Sequence, residues 1–327
     1  MSLCLCVQKV IVIVIVILKF NQPEGRLTHN PLTNMKECLY YKKLEDHVVR
    51  CELCPHQCLI KPDGRGRCRS RVNREGTLYS EAYGHPCALA IDPIEKKPLY
   101  HFHPGEKCLS LACTGCNLRC KGCQNHDISQ IRPADTDYYP LSPKDLISLA
   151  RNHRQHIIAY TYTEPLTWYE YTLDCARLAH DNNMLNVLVS AGYINEEPLQ
   201  QITPYIDAAN IDLKYFSDET YSWMSGATLQ PVLNTLKTLR ERNVWLEITH
   251  LMIPTTETAE EFRAMCRWLR DNGFADTPLH LSRFFPRYQL QKDYAPTPIA
   301  TLHQAKAIAQ EEGIRHIHLG NVPSSDE

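Results

Sequence analysis

The feature that most constrains this chain is a short loop of cysteines. The segment SLACTGCNLRCKGCQN places Cys116, Cys120 and Cys123 at spacings of three and then two residues. Thiolates at such spacings can share one metal centre, and three cysteines leave one iron of a [4Fe-4S] cluster open to a small molecule, whereas four would close it. Cys113 is the only rival fourth ligand, and it would crowd four ligands into eleven residues. The alternative, that these are ordinary thiols, is disfavoured by their spacing.

Composition narrows the class of protein. The chain has 327 residues, 43% of them hydrophobic, which suffices for one large α/β domain and a small additional region. A net charge of −2 gives no reason to expect a nucleic acid partner. The fifteen cysteines fall largely in tight clusters, which favours metal binding in a reducing compartment over disulfides. We therefore expect a cytoplasmic protein.

The first residues differ from the rest. Residues 10–18 form an unbroken apolar run of nine, too short for a transmembrane helix of about 20 residues. Because Met35 opens a plausible start, we expect residues 1–34 to be a disordered leader or a mis-assigned start. A short membrane-surface anchor is the alternative. The expected organisation is then a cysteine-rich region at 35–104, a core at 105–322 and a tail at 323–327.

A second cysteine cluster lies within the N-terminal region. Cys51, Cys54, Cys58 and Cys68 supply four thiolates within eighteen residues, in a segment rich in proline and glycine. Such a segment cannot build a core alone, so a metal site would hold it together. Four thiolates suit zinc and an auxiliary iron–sulfur cluster equally, and both remain open.

The remainder of the chain alternates between apolar strand-like runs and amphipathic helical stretches. This alternation indicates repeated βα units and a parallel sheet. Six units are too few for the closed eight-fold barrel, so we predict an α/β fold, a partial (β/α)6 TIM-type barrel, with its site at the carboxyl ends of the strands. The predicted helices lie near 143–154, 167–182, 196–203, 231–242, 258–272 and 298–312. A short final strand follows in EEGIRHIHLGN.

The motif GCNLRCKGCQN resembles the cysteine loop of the radical S-adenosylmethionine (SAM) superfamily, in particular of enzymes similar to pyruvate formate-lyase activating enzyme. The longer stretch from CELCPHQC to KCLSLACTGCNLRCKGCQN resembles the radical SAM member of the AmmeMemoRadiSam system, and this likeness extends over residues 35–322. It implies a [4Fe-4S] cluster on the three loop cysteines and SAM as cofactor.

The resemblance also assigns roles to polar groups at the strand ends. Glu164 stands where relatives hold the amino group of SAM, and a carboxylate suits an ammonium group. Its alternative role is to cap the next helix. Ser190 and Gly192 follow the third strand and are expected to contact SAM, although Ala191 departs from the Asn-Gly common in the family.

Further SAM contacts are expected on the fourth and fifth strands. Alternation puts Asn210, Asp212 and Lys214 on one strand face, and the resemblance directs this Asp-x-Lys toward SAM or the substrate peptide. A structural ion pair between Asp212 and Lys214 is the alternative. Ile253 is expected to flank the adenine. Phe285 replaces a histidine common in the family, so a polar role at that position is lost.

The implied activity is that of a radical SAM oxidoreductase. It would cleave SAM reductively to a 5′-deoxyadenosyl radical that abstracts hydrogen from a protein or peptide substrate, with electrons from a reductase such as flavodoxin or ferredoxin. Memo-like and AMMECR1-like proteins are partners suggested by the name of the system, and would go with modification of another target. A non-enzymatic iron–sulfur or zinc interaction protein is the alternative from another class. The three-cysteine loop and the long barrel argue against it.

Overall fold

The computed structural model describes residues 35–323, and its first part is a pair of small antiparallel sheets. They have the strand orders β1-β6-β5 and β2-β3-β4. The six strands are β1 (Lys36–Glu37), β2 (Tyr41–Lys43), β3 (Val49–Cys51), β4 (Leu59–Ile60), β5 (Arg71–Arg74) and β6 (Thr77–Ser80). β5 and β6 are joined by Glu75 and Gly76, both with positive φ (50° and 84°), which is the two-residue turn that matches the twist of a hairpin.

An eight-stranded sheet forms the body of the molecule. Its strands follow one another in chain order from β7 to β14, with β7 antiparallel to β8 and every later pair parallel. The strands are β7 (Pro86–Pro93), β8 (Lys107–Cys113), β9 (Ile157–Tyr160), β10 (Leu185–Ser190), β11 (Ala208–Asp212), β12 (Trp245–Met252), β13 (Leu279–Arg283) and β14 (Ile317–Gly320). This is a mostly parallel α/β arrangement, a partial barrel as predicted.

Helices connect the parallel strands. They are α1 (His126–Ser129), α2 (Pro143–Asn152), α3 (Tyr169–His180), α4 (Glu196–Ile202), α5 (Asp218–Ser225), α6 (Leu229–Glu241), α7 (Ala259–Asp271) and α8 (Ile299–Glu311). Capping boxes start α2 at Ser142 and α7 at Thr258, where the hydroxyl and the N3 carboxylate satisfy free backbone N–H groups. All six predicted helices are present, whereas the short α1 and α5 were not anticipated.

The connector between β7 and β8 spans residues 94–106, and its residues 94–103 close the amino end of the barrel. Ile94 and Leu99 belong to a buried apolar cluster with residues near the starts of four strands, Cys108, Ile157, Ala159, Val187 and Ala208. Glu247 of β12 accepts hydrogen bonds from the backbone N–H groups of Tyr100 and His101, both at 2.9 Å. β7 also precedes the expected boundary at residue 104, yet it extends the core sheet, so the sheet itself crosses that boundary.

No helix within residues 35–323 is long and apolar enough to cross a membrane. The apolar run at 10–18, the expected leader at 1–34 and residues 324–327 of the expected tail lie outside the described residues.

Candidate active site

The cysteine loop leaves the carboxyl end of β8 and is fixed by its backbone. Arg119 N–H donates to Ser225 O at 2.7 Å and Lys121 N–H donates to Met224 O at 2.9 Å, so the end of α5 holds the loop. Gly115 has φ +106°, and a Cβ there would lie 2.5 Å from the carbonyl oxygen of Cys68. The loop is therefore pressed against the N-terminal cysteine region and admits no side chain at that point.

The three loop thiols lie near one another. Leu118 N–H donates to Cys116 Sγ at 3.4 Å, and Cys123 Sγ lies 3.2 Å from Ser129 Oγ. Cys116 interacts electrostatically with Cys120 and Cys123. Cys113 interacts instead with Cys87 and Cys175 and is fully buried in β8, so the structure separates it from the loop thiols.

Burial raises the pKa of two of the loop thiols, Cys116 and Cys120. The pKa of Cys116 lies well above its ordinary value because of burial and the nearby Glu164 carboxylate. Burial also raises the pKa of Cys120 to about 12, although the Lys214 ammonium opposes the rise. A metal centre on these two thiols would therefore have to displace a proton from each of them.

The donor set fits an iron–sulfur cluster better than a single ion. Among residues 35–323, no three His, Cys, Asp or Glu side chains are arranged to hold one metal ion. A 4Fe-4S cluster binds each cysteine through a different iron, so its ligands surround a volume and do not converge on a point. Three adjacent thiols on an irregular loop, one accepting a backbone N–H, meet that requirement.

Glu164 lies directly beyond β9, next to Cys116. Its side chain is buried and accepts hydrogen bonds from Ser190 Oγ (2.7 Å), Ala191 N–H (2.8 Å) and Leu166 N–H (3.2 Å). Burial raises its pKa, and these hydrogen bonds oppose the rise. The structure thus joins two predicted site residues, Glu164 and Ser190. It also shows that Glu164 orders the turn after β10.

Gly192 completes that turn. Its N–H donates to Ser190 Oγ at 2.9 Å and its φ is +66°. A Cβ at this position would lie 3.1 Å from Ile211 Cγ2 and 3.2 Å from Thr235 Cγ2. The glycine is therefore explained by packing, and its contact with SAM stays a prediction.

Asp212 and Lys214 form an ion pair at the end of β11, with Nζ 2.7 Å from Oδ2. Burial alone would lower the pKa of Lys214, but Asp212 and Cys120 hold it well above its ordinary value. The pair anticipated as the alternative is thus present, and it faces the cysteine loop.

Asn210 lies deeper in the barrel. Its Nδ2 donates to Pro98 O and its Oδ1 accepts from Thr249 Oγ1, both at 2.8 Å. The structure therefore ties Asn210 to the connector and not to the cysteine loop. Ile253 is buried beyond β12, with its carbonyl accepting from Thr256 Oγ1 at 3.0 Å. Phe285 is 40% exposed, and the Arg283 guanidinium lies 4.9 Å from its ring centre.

The second cysteine group lies beside the first. His56 Nε2 lies 2.9 Å from Asn117 O, within the cysteine loop. Arg69 interacts electrostatically with both Cys116 and Cys68. The four predicted thiols Cys51, Cys54, Cys58 and Cys68 interact electrostatically with one another, as the loop thiols do.

Two positioning residues were not predicted from the sequence. Tyr162, just after β9, has the strained φ of +64°, and its carbonyl accepts from Asn125 Nδ2 at 2.7 Å. His250 lies on β12, where its Nδ1 is 2.8 Å from Leu213 O and its Nε2 is 2.9 Å from Glu257 Oε2, which fixes the backbone before Lys214. Asn125 belongs to the quoted motif and could have been singled out, whereas nothing in the sequence marks the conformation of Tyr162.

The fold and the site define a partial parallel barrel with a three-thiol loop at its carboxyl edge. The family model described as "Radical SAM superfamily" matches residues 111–269. The uncharacterized protein MJ0808 of Methanocaldococcus jannaschii is 43% identical over 293 residues, 89% of this chain and 87% of that protein. The chain belongs to the radical SAM superfamily.

More distant relatives include a named enzyme. The pyruvate formate-lyase-activating enzyme of Clostridium pasteurianum is 21% identical over 214 residues, covering 62% of this chain and 88% of that protein. Among solved structures, Streptococcus suis SuiB aligns with a TM-score of 0.49 at 12% identity, over 65% of this chain and 48% of SuiB.

Proposed function

We propose that this protein is an activating-enzyme-like radical SAM oxidoreductase that abstracts a hydrogen atom from a polypeptide partner. The observation that carries the proposal is the placement of Cys116, Cys120 and Cys123 at the carboxyl edge of the barrel. There Glu164 and the Asp212–Lys214 pair interact electrostatically with the loop thiols. This arrangement supports a cofactor with both a cationic and an anionic end.

A 4Fe-4S cluster on the three thiols would supply the electron that cleaves SAM to methionine and a 5′-deoxyadenosyl radical. The residues of the chain would bind SAM and orient it. The Lys214 ammonium favours a carboxylate near Cys120, and the Glu164 carboxylate favours an ammonium near Cys116. The Leu118 N–H donates a hydrogen bond to the Cys116 sulfur. The buried apolar cluster at the amino end of the barrel excludes water from beneath the site.

Exposed aromatic residues at the rim support a polypeptide substrate. Trp223 on α5 is 53% exposed, and the Lys121 ammonium of the cysteine loop lies 4.1 Å from its ring centre. Exposed tryptophan is typical of protein contact surfaces. The similarity to pyruvate formate-lyase-activating enzyme, whose name states that it acts on another enzyme, supports the same substrate class.

The partners follow from the same proposal. An external one-electron reductase such as flavodoxin or ferredoxin would reduce the cluster. The resemblance to the AmmeMemoRadiSam system adds Memo-like and AMMECR1-like proteins as the first candidates to test as substrates or assembly partners.

Anaerobic reconstitution with iron and sulfide, followed by reduction and addition of SAM, tests the cleavage step. We expect 5′-deoxyadenosine from the wild-type chain and from the Cys113→Ala control, and none from Cys116→Ala. The proposal fails if a wild-type chain that holds its cluster forms no 5′-deoxyadenosine, or if Cys116→Ala forms as much as wild type.

Isotope transfer tests the substrate class. A candidate partner labelled with deuterium should pass deuterium into 5′-deoxyadenosine. Trp223→Ala should reduce this transfer several-fold while SAM cleavage without partner continues. Equal transfer by wild type and Trp223→Ala would remove the rim from the proposed interface.

A further inference from the structure

The N-terminal cysteine group surrounds an unusual arginine. Cys51 and Cys68 are buried, and Arg67 N–H donates to Cys58 Sγ at 3.4 Å, a contact typical of metal-bound thiolates. Arg71 on β5 is only 1% exposed and interacts electrostatically with Cys38, Cys51 and Cys68. A cation thus lies among sulfurs that come from separate segments of the chain.

The hydrogen bonds of Arg71 are incomplete. Nη2 donates to Leu39 O at 2.7 Å and to Glu170 Oε1 at 2.8 Å. Nε and Nη1 are buried and have no partner within residues 35–323, and neither has Glu170 Oε2. Native proteins rarely leave such donors unpaired. Arginine–carboxylate pairs are often bidentate, and the single contact here leaves two donors for another acceptor.

Negatively charged sulfur is the acceptor near Arg71 that could take the hydrogen bonds of its free N–H groups. Four thiolates around zinc or around an iron–sulfur core leave an anionic centre, and a buried anion requires donors. Tetrahedral zinc would bring its four sulfurs to within about 4 Å of one another, since each Zn–S bond is about 2.3 Å. The described part of the chain has no three side chains arranged to hold one ion, although these thiols are mutually coupled. An iron–sulfur cluster suits this arrangement, because it binds each cysteine through a different iron and does not need the four sulfurs to converge on one point.

We propose that Cys51, Cys54, Cys58 and Cys68 hold a second iron–sulfur cluster, and that Arg71 is a positioning residue whose free N–H groups donate to its sulfur ligands. This inference rests on residues outside the proposed active site. Glu170 on α3 holds the guanidinium in place, so the second cluster is coupled to the core through one ion pair.

The first experiment counts iron and sulfide. A chain carrying Cys116→Ala, Cys120→Ala and Cys123→Ala, reconstituted anaerobically, should retain roughly four irons and four sulfides, as expected for one 4Fe-4S cluster. Adding Cys54→Ala should abolish most of that iron, whereas adding Cys266→Ala, a buried cysteine of α7, should not. Bound zinc in place of iron, or no bound metal in the triple variant, overturns the second cluster. SAM cleavage by the wild-type chain is measured separately, so failure here leaves the proposed function standing.

The second experiment measures the reduction potential of that cluster in the triple variant. A buried cation favours the reduced, more negative state, so Arg71→Met should shift the potential to more negative values and Arg71→Lys should shift it less. Glu170→Gln should shift it to more positive values, because it removes a nearby negative charge. If Arg71→Met does not fold, Glu170→Gln and Arg71→Lys decide the matter. No upward shift in Glu170→Gln, or an unchanged potential in a folded Arg71→Met, overturns the role of Arg71.

Discussion

Ser190 shows how one small side chain orders the candidate active site. Its hydroxyl donates to Glu164 and accepts from Gly192 N–H, and all three groups are buried. We expect Ser190→Ala to lower the free energy of unfolding by about 1–3 kcal/mol, because it leaves a buried N–H unpaired. Chemical unfolding of the metal-free chain measures this. The exposed Ser148→Ala should change stability by no more than about 0.5 kcal/mol. Equal effects of the two variants would contradict the prediction.

His250 gives a pH dependence with a definite sign. Burial alone would lower its pKa, but Glu257 and the Leu213 carbonyl raise it above the ordinary value of 6.5. A raised pKa in the folded state means that the charged form adds stability below pH 6.5, and that this stability is lost as pH rises through the folded pKa.

The corresponding test compares unfolding free energies across that window. The wild-type chain should lose stability relative to His250→Gln as pH rises above about 6.5. The exposed His303→Gln serves as control and should follow the wild type. Parallel pH profiles for wild type and His250→Gln would show that the ion pair with Glu257 adds nothing.

Residue types were easier to predict than their partners. Three cysteines at close spacing restrict the chemistry whatever the surroundings, and the spacing is visible in the sequence. The hydrogen bonds of Asn210 depend on where residues 94–103 pass, more than a hundred positions away in the chain. A strand's alternation gives the face of a side chain but not its depth in the barrel.

At the scale of elements, Gly115 controls how the cysteine loop packs on the N-terminal region. Gly115→Ala would combine a φ of +106° with a Cβ 2.5 Å from Cys68 O. We expect a loss of stability several-fold larger than that of Gly105→Ala, which has φ +84° and no atom within 4 Å of its Cβ. Gly105→Ala, the control, measures the cost of the left-handed backbone conformation alone, which is about 1–2 kcal/mol. Unfolding curves and proteolysis of the N-terminal region measure both, and equal losses would contradict the contact.

The connector and β7 are joined by a buried ion pair. Lys97 Nζ lies 2.7 Å from Asp92 Oδ2, and the side chains are 1% and 8% exposed. Lys97→Met should cost about 3–5 kcal/mol, because it leaves a buried carboxylate without its main partner. Lys96 lies 3.2 Å from the same carboxylate but is 58% exposed, so Lys96→Met should cost about 0–1 kcal/mol. Thermal unfolding measures the loss of stability in Lys97→Met and in Lys96→Met. Similar losses in the two variants would contradict the prediction.

Long periodic helices could be predicted, whereas the short α1 and α5 could not. Five of the six helices of the βα units have 10 to 13 residues, so an apolar face can repeat over several turns, and α4, with seven residues, is the one short helix that was predicted. α5 is an eight-residue helix whose sequence, DETYSWMS, has no such repeat, and its ends are set by the Ser217 cap and by Gly226 in the left-handed conformation. Yet this helix holds the backbone of the cysteine loop.

For the whole molecule, cluster assembly should depend on pH. Burial raises the pKa of Cys116 and Cys120, so their thiolates form more readily as pH rises. We expect anaerobic iron uptake to be several-fold faster at about pH 9 than at about pH 7. Iron bound per chain over time measures this, with Cys113→Ala as control. Uptake that does not change with pH would show that the thiols are not the limiting step.

The connector across the amino end of the barrel limits where small molecules can enter. Within residues 35–323, Glu247, Asn210 and an apolar cluster fasten it to the strands, so the carboxyl rim is the open end of the barrel. A cofactor and a polypeptide that share one entrance cannot exchange independently. We expect SAM to bind before the polypeptide and methionine to leave only after the polypeptide has withdrawn, so turnover should follow a compulsory order.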